Sequence, residues 1–165
     1  MIVVKDSMIL IHLGKLSLLE KSCDYFGKII IPELVYNEVS KGKDKFPDAN
    51  IIVSLVQKKK ITVEKIKDRN LIKKANEFNI QRGEAESLAL YWEKKADFLA
   101  TDDDNVRKKR ILLELKLIGT PAIIIKLYKG EIIDIKKFKE TIFELRKIGW
   151  FNSAVLDTMI MEAEK

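Results

Sequence analysis

Short apolar runs alternate with longer segments of helical spacing along the chain. The strand-like runs, rich in β-branched residues, lie at 2–4, 28–31, 61–63, 98–100 and 117–118. Between them, apolar residues recur every three to four positions, which predicts helices at 15–25, 32–41, 48–59, 69–79, 83–95, 103–115, 121–128, 136–147 and 153–163. This alternation is typical of a parallel sheet covered by helices. We therefore expect a three-layer α/β/α fold with a central parallel sheet of four to five strands.

The length and composition favour one folded domain. The chain has 165 residues, 47% of them hydrophobic, which is enough to bury a sizeable core without disulfides. No internal repeat, low-complexity segment or linker interrupts the pattern. We expect a single domain over 1–165, with the helices of about 134–165 packed on it as an extension.

The rarity of cysteine and histidine excludes several kinds of chemistry. Cys23 is the only cysteine and His12 the only histidine, so an intramolecular disulfide, a cysteine zinc site and multi-histidine metal or triad chemistry are all excluded. His12 lies between Ile11 and Leu13, which favours a packed, hydrogen-bonded histidine over a metal ligand. No apolar stretch reaches the length of a membrane span and no basic leader precedes the first strand, so we expect a cytoplasmic protein without membrane contact.

The charge balance permits a nucleic-acid partner. The net charge is +6, and basic residues cluster at 58–60, 107–110 and 136–139. Such clusters attract phosphate polyanions, although each alone is equally consistent with the solvated face of a helix.

Acidic residues follow two of the predicted strands. Asp6 ends the first strand, and Asp102, Asp103 and Asp104 follow the strand at 98–100. Ligands of open parallel sheets bind beyond the carboxyl ends of the strands, so both groups point to the same rim. Each could instead be a helix cap or a first-turn partner of the helix dipole.

Two further carboxylates lie on helices close to apolar positions. Glu38 is flanked by Val35 and Val39, and a carboxylate beside an apolar stripe needs a partner. Glu84 opens the helix at 83–95 at the edge of its apolar stripe, while Glu86 points further away. Both glutamates of this helix could also be first-turn residues that match its dipole.

Four carboxylates at one rim would repel each other unless a cation joined them. A ligand set of oxygens without histidine or cysteine selects a hard ion, Mg²⁺ or Mn²⁺. Such an ion can activate water and neutralise charge on a phosphodiester, which is the chemistry of many nucleases. The basic clusters would then position the backbone of the substrate.

These segments resemble the PIN-domain family, in particular its VapC-like branch of toxin-type ribonucleases. The opening "VVKDSMILIHLGKL" is similar to the family's strand-Asp-Ser/Thr segment, and "KIIIPELVYNEV" to its second strand and Glu-bearing helix. "RGEAESLALYWEKKADFLATDDDNVRK" is similar to its Gly-Glu helix, strand and Asp-Asp segment. The ending, from Gly119 through "KGEI" to "FNSAVLDTMIMEAEK", resembles an uncharacterised prokaryotic subgroup, so the likeness covers nearly the whole chain.

The resemblance implies a PIN-like fold and an endoribonuclease that depends on Mg²⁺ or Mn²⁺. Carried over by position, it assigns catalytic roles to Asp6, Glu38, Glu84 and Asp103, and metal contacts to Asp6, Asp103, Glu84 and Asp102. Asp102 is expected as a partner or neighbour of Asp103. The positions that match substrate-binding or supporting residues are Ser7, Thr120 and Arg107.

The resemblance also implies partners. RNA is the expected substrate, a homodimer the expected assembly, and a separate antitoxin the expected regulator. Two positions depart from the family pattern: Met8 replaces a small polar residue or proline, and Asp104 replaces what is often a basic residue. Neither departure removes one of the four carboxylates, and the pattern leaves open whether Glu86 or Asp104 joins the metal site.

Other functions remain as alternatives at this point. A catalytically silent PIN-like RNA-binding or scaffold protein would keep the fold without turnover. A phosphatase of the Asp-x-Asp type is disfavoured because residue 8 is Met, and no Gly-Lys-Ser/Thr or G-x-G-x-x-G phosphate loop occurs. The PIN relative that processes ribosomal RNA carries a cysteine zinc ribbon, which this chain lacks.

Overall fold

A five-stranded parallel sheet forms the centre of the molecule. The computed structural model describes residues 1–42 and 47–165. The strands are β1 (Ile2–Lys5), β2 (Lys28–Pro32), β3 (Ile61–Glu64), β4 (Phe98–Ala100) and β5 (Leu117–Ile118). Their order is β3-β2-β1-β4-β5, and every neighbouring pair is parallel. The expected parallel sheet is confirmed, with the larger of the two expected strand numbers.

Helices cover both faces of this sheet. Those in the described ranges are α1 (Ser7–Lys15), α2 (Leu19–Phe26), α3 (Glu33–Ser40), α4 (Pro47–Gln57), α5 (Asn70–Glu77), α6 (Arg82–Glu93), α7 (Asp104–Lys108), α8 (Thr120–Lys129), α9 (Ile135–Ile148) and α10 (Ser153–Glu164). The expected three-layer α/β/α arrangement is confirmed. None of these helices has both the length and the apolar content needed to span a bilayer.

Alternate side chains of the strands point to two hydrophobic clusters. Val3 belongs to the cluster that includes the apolar faces of α1, α2, α8, α9 and α10, whereas Val4 belongs to the cluster on the side of α5 and α6. Both valines are fully buried. This period-two division is the reason why the strands of a covered sheet read as continuous apolar runs.

The first helical region differs from its prediction. A single helix was expected at 15–25, but the structure has α1 and α2, separated by a turn in which Ser17 has a positive φ of 57°. The side chain of Asp6 accepts a hydrogen bond from the Ile9 amide and so caps α1 immediately after β1. This side-chain cap starts the helix eight residues earlier than apolar spacing indicated.

The segment after β4 also differs from its prediction. The helix expected at 103–115 ends at Lys108, and turns follow up to residue 114, where Glu114 has a φ of 53°. The chain must return here to lay β5 beside β4, where the Leu99 amide donates to the Lys116 carbonyl at 2.9 Å. Sheet pairing therefore overrides the helical spacing of residues 109–115.

The sequence order of the strands reverses between β1 and β4. From β1 the chain moves outward to β2 and β3, and it then returns to β4 and β5 on the other side of β1. The Asp6 amide donates to the Ala100 carbonyl at 3.1 Å and joins the two strand ends. A reversal of this kind opens the crevice where ligands of open α/β sheets bind.

Candidate active site

Asp6 and the segment Thr101–Asp103 lie on the two sides of this crevice. The carboxylate of Asp6 is only 4% exposed. Burial raises the pKa of Asp6 to about 7; hydrogen bonds from Thr101 and Ile9 act in the opposite direction, and the negative charges of Asp102 and Glu84 raise the pKa further. Asp6 is therefore a buried acid with other carboxylates as neighbours, as expected at a site that binds a cation.

Glu38 reaches the crevice from α3. Its Oε2 accepts a hydrogen bond of 2.9 Å from the Ser7 hydroxyl. A Cβ at Gly83 would lie 3.0 Å from the same oxygen, so a larger residue at this position would require the Glu38 carboxylate to shift. Ser7 thus holds the Glu38 carboxylate through its hydroxyl, and Gly83 leaves room for it.

Glu84 lies in the first turn of α6, next to Gly83. Burial raises the pKa of its carboxyl, a backbone hydrogen bond lowers it, and the charges of Asp103 and Glu38 raise it further. Glu86 turns away from the crevice, and its Oε1 lies 3.6 Å from the Arg69 guanidinium. The structure therefore places Glu84, and not Glu86, with the other acidic residues.

Asp103 caps α7, and Asp104 faces solvent. The Asp103 Oδ2 accepts from the Val106 amide at 2.9 Å, and its own amide donates to the Thr101 hydroxyl at 3.0 Å. Asp104 is 83% exposed, and its carboxylate lies 3.7 Å from the exposed Arg107 guanidinium. Asp103 is thus the aspartate of α7 that remains with the crevice, while Asp104 and Arg107 lie outside it.

Asp102 has a different environment from the other acidic residues. It is 2% exposed; its Oδ2 contacts the His12 Nδ1 at 2.8 Å and accepts from the Thr120 hydroxyl at 2.5 Å. Its Oδ1 accepts from the Thr120 amide at 2.8 Å. A Cβ at Gly119 would lie 3.1 Å from this oxygen. Both carboxylate oxygens are thus engaged by protein donors, as suits a supporting neighbour of Asp103 better than a metal ligand.

Two sequence predictions are settled by this network. His12 is buried and hydrogen-bonded, so the prediction of a packed, hydrogen-bonded histidine is confirmed. Thr120 was expected as a substrate-binding or supporting residue, and it is fully buried with both of its donors on Asp102. These contacts fit the supporting role.

Two aromatic residues before α10 were missed at the sequence level. The Trp150 indole Nε1 donates to the Asp102 carbonyl at 3.3 Å, and its ring lies 5.6 Å from the His12 ring. The Phe151 ring lies 5.5 Å from His12 at a steep angle. No local signal indicated this contact, because residues 150 and 151 are far from 12 and 102 in sequence. The turn after α9 therefore packs against the back of the site.

The predicted site residues form a series of neighbours. Asp6 is close enough to Glu84 for the Glu84 charge to raise the pKa of Asp6, and Glu84 is close enough to Asp103 and Glu38 for their charges to raise the pKa of Glu84. No three His, Cys, Asp or Glu side chains in ranges 1–42 and 47–165 form a group that could hold a metal ion. In these side-chain positions no three of these carboxyl groups are within reach of one ion, and the metal contacts expected from the sequence stay a prediction.

The physical reason lies in the donors and the charges of the acidic residues. Glu38 is hydrogen-bonded to Ser7 and Asp103 to the Val106 amide, while repulsion opposes a closer approach of the remaining carboxylates. The chemistry of the set still fits a hard divalent cation, because all four residues offer carboxylate oxygens and no softer ligand lies among them. Burial is the main cause of the raised pKa values of Asp6 and Glu84, and a cation would offset the carboxylate repulsion that adds to it.

Comparison with known proteins supports a family assignment. A family model described as a PIN domain matches residues 2–165. Neither a curated protein nor a solved structure gives a significant match. The matched region includes all five strands and the turn with Trp150 and Phe151.

Proposed function

The chain belongs to the PIN-domain family, and from this premise we propose that it is a metal-dependent endoribonuclease that hydrolyses RNA phosphodiester bonds. PIN domains are generally nucleases. The finer elements of the proposal are the RNA substrate, the internal cut and the dependence on Mg²⁺ or Mn²⁺.

The observation that carries the proposal is the acidic series at the reversal of strand order. Asp6 follows β1, Asp103 follows β4, and Glu38 and Glu84 enter from α3 and α6. Four elements far apart in sequence thus place carboxylates on one crevice. Burial and then the neighbouring charges raise the pKa of Asp6, so the ionised form of this carboxylate is unfavourable without a cation.

In this proposal, the carboxylates of Asp6, Glu38, Glu84 and Asp103 would hold the cation. When bound, Mg²⁺ or Mn²⁺ supplies activation of water and neutralisation of charge on the phosphodiester. Ser7 keeps the Glu38 carboxylate oriented through its hydroxyl. Asp102 holds the Thr101–Asp103 segment in place through His12 and Thr120. Hydrolysis of this type leaves 5′-phosphate and 3′-hydroxyl ends.

The test is cleavage of a labelled single-stranded RNA by the purified protein with Mn²⁺. Asp6→Asn keeps a side chain that can cap α1, and it should reduce cleavage about 100-fold or more. Asp157→Asn removes the same charge from an exposed position of α10, where the carboxylate lies 3.7 Å from the Arg146 guanidinium, and should leave the rate within about twofold. Sequencing of the 5′ ends of the products identifies the bond that is cut.

Unchanged cutting by folded Asp6→Asn would contradict the assignment of the site. Absence of cleavage and of Mn²⁺ binding in the native protein would favour the silent RNA-binding or scaffold alternative. A rate that depends on Mn²⁺ in the native protein and is lost in Asp6→Asn supports the nuclease.

The finer biological role in the proposal is that of a toxin held inactive by an antitoxin, with the toxin acting as a homodimer in the cytoplasm. Its support is the resemblance to the VapC-like branch and the exposed apolar side chains at the last two helices. These side chains are Ile135, Phe143, Ile160 and Met161. Exposed apolar clusters of this kind are suited to protein contacts.

Induced expression should arrest growth, and Asp6→Asn should relieve the arrest. Sedimentation of the purified chain measures the expected dimer separately. Normal growth in the presence of an active nuclease would contradict the toxin role but not the nuclease.

A further inference from the structure

A groove of about 720 Å³ adjoins the acidic crevice. Its lining includes Thr101 and Asp102 at the end of β4, so it continues directly from the segment that carries Asp103. Its other walls come from α7 and the following turns, from the start of α8, and from the turn before α10. The volume lies in the range of roughly 300–1,000 Å³ that is typical of ligand clefts.

One wall of the groove is basic. Arg107, Lys108 and Arg110 line it and are all exposed. Arg107 shares its charge with Asp104, whereas no ion pair within the described ranges involves Lys108 or Arg110. The Asp102 carboxylate, the other acidic group of the lining, is directed to His12 and Thr120. The free charge of this wall is therefore positive and suits a phosphate backbone.

The lining of the groove also includes an aromatic ring that is fixed in position. Phe151 is partly buried, and its ring packs against His12 with centroids 5.5 Å apart. His12 is itself held by Asp102. A ring anchored in this way can receive a nucleobase without losing side-chain freedom on binding.

We propose that this groove binds the unpaired RNA nucleotides next to the cleaved bond, with Lys108 and Arg110 on backbone phosphates and Phe151 against a base. This proposal rests on the proposed function, because the RNA held in the groove is the substrate that the acidic crevice would cleave. A positive wall that follows the backbone and an aromatic surface that receives bases are the two features by which proteins bind single strands. Duplex RNA keeps its bases stacked and cannot offer one to Phe151.

The first test measures binding without cleavage. Asp6→Asn protein is titrated into a fluorescent single-stranded RNA of about 12 nucleotides, with a chelator present, over a series of salt concentrations. In the same Asp6→Asn protein, the further substitutions Lys108→Ala and Arg110→Ala should weaken RNA binding. They should also reduce the slope of log affinity against log salt by about 1.4, because each phosphate contact to a single strand accounts for about 0.7.

The matched control for charge is the pair Lys136→Ala and Lys139→Ala. Both lysines are exposed on α9, so this variant loses the same net charge away from the groove. The salt slope should remain unchanged. Equal losses in the two pairs would overturn the proposal, because they would show attraction by net charge alone.

The second test measures the aromatic contact. Phe151→Leu keeps an apolar side chain and should weaken single-strand binding roughly tenfold, whereas Tyr25→Leu, at an exposed ring on α2, should have no effect. Melting temperatures of both variants establish that they are folded. The proposal would be overturned if the protein bound duplex RNA as tightly as the single strand. It would also be overturned if the Phe151→Leu variant bound the single strand as tightly as the protein with Phe151.

A last measurement separates RNA from a second copy of the chain. If sedimentation shows that Phe151→Leu or the Lys108/Arg110 variant turns a dimer into a monomer, the groove is a contact between copies and the proposal is wrong. Failure of this proposal can be told apart from failure of the nuclease proposal. RNA binding through the groove without Mn²⁺-dependent cleavage would contradict only the nuclease. Cleavage together with normal RNA binding by the groove variants would contradict only the groove.

Discussion

Asp6 and Asp102 follow neighbouring strands and are almost equally buried, yet their surroundings are opposite. The Asp102 carboxylate is hydrogen-bonded to the His12 ring and accepts hydrogen bonds from the amide and the hydroxyl of Thr120. Asp6 has hydrogen bonds from the Ile9 amide and the Thr101 hydroxyl, but burial, with a further contribution from the charges of Asp102 and Glu84, raises its pKa to about 7. Asp102 therefore has its hydrogen bonds from donors of the protein, whereas Asp6 is suited to bind a cation.

This difference distinguishes a structural carboxylate, Asp102, from a carboxylate suited to the reaction, Asp6. Burial alone does not identify a catalytic carboxylate, because both residues share it. The donors around each carboxylate distinguish the two roles, since a buried carboxylate with few donors and acidic neighbours is stable only when neutral or bound to a cation.

The largest expected effect on stability is at Asp102. Asp102→Ala leaves the His12 ring, the Thr120 amide and the Thr120 hydroxyl without their acceptor, and we expect a loss of about 3–5 kcal/mol in the free energy of unfolding. Urea unfolding measures it. Asp104→Ala serves as the control and should leave the midpoint unchanged, because its side chain is exposed. A small loss at Asp102 would remove the contrast with Asp6.

The next effect concerns the two glutamates of α6. Glu84→Gln should reduce Mn²⁺-dependent cleavage about 100-fold, since it removes a charge from the acidic series. Glu86→Gln removes the same charge two residues away, where the carboxylate pairs with Arg69, and should change the rate less than about twofold. Initial rates at saturating Mn²⁺ give the comparison. Equal effects would mean that the crevice does not discriminate between them.

A smaller effect is expected from the protonation of Asp6 in metal-free protein. Its pKa is higher in the folded chain, about 7, than its ordinary value of 3.8, so the folded state binds more protons between these pH values and stability falls as the pH rises through them. Asp6→Asn removes this dependence. We expect it to raise stability on the order of 2 kcal/mol at pH 8 and to have little effect near pH 4.

Thermal unfolding in a chelator at pH 4 to 8 checks the Asp6 prediction. The gap between variant and native protein should widen with rising pH. A gap that is constant, or that widens towards low pH, would show that Asp6 is not held as a buried acid with a raised pKa.

The smallest effect is expected at Trp150. Trp150→Phe keeps an aromatic ring near His12 but loses the hydrogen bond to the Asp102 carbonyl, and it should cost about 1 kcal/mol in unfolding free energy. Urea unfolding provides the measurement. A loss as large as that of Asp102→Ala would mean that the turn before α10, rather than the carboxylate, holds this region together.

The strands and the acidic positions were accessible from the sequence because their signals are local. All five predicted strands are present, and Glu84 connects Asp6 with Glu38 and Asp103 in one acidic series near the strand ends, as the parallel-sheet rule indicates. The start of α1 was missed because its signal is a single polar side chain, that of Asp6, and not apolar spacing. The end of α7 was missed because pairing of β5 with β4 overrides local spacing.

The environment of Asp102 was not accessible from the sequence. His12 is 90 positions away from it, and no periodicity links the two residues. The same holds for Trp150, which contacts the Asp102 carbonyl from the turn after α9. The hydrogen-bond donors that the fold brings to each carboxylate thus distinguish Asp102 from Asp6.

Binding of Mn²⁺ to the purified chain, measured by calorimetry at pH 7.5, tests the central claim most directly. The account predicts binding at or below about millimolar Mn²⁺ that weakens more than tenfold in Asp6→Asn and in Glu84→Gln, while Glu86→Gln binds as the native protein does. No binding at millimolar Mn²⁺, or equal binding by the native protein and Asp6→Asn, would contradict the assignment of this crevice as the metal-dependent site.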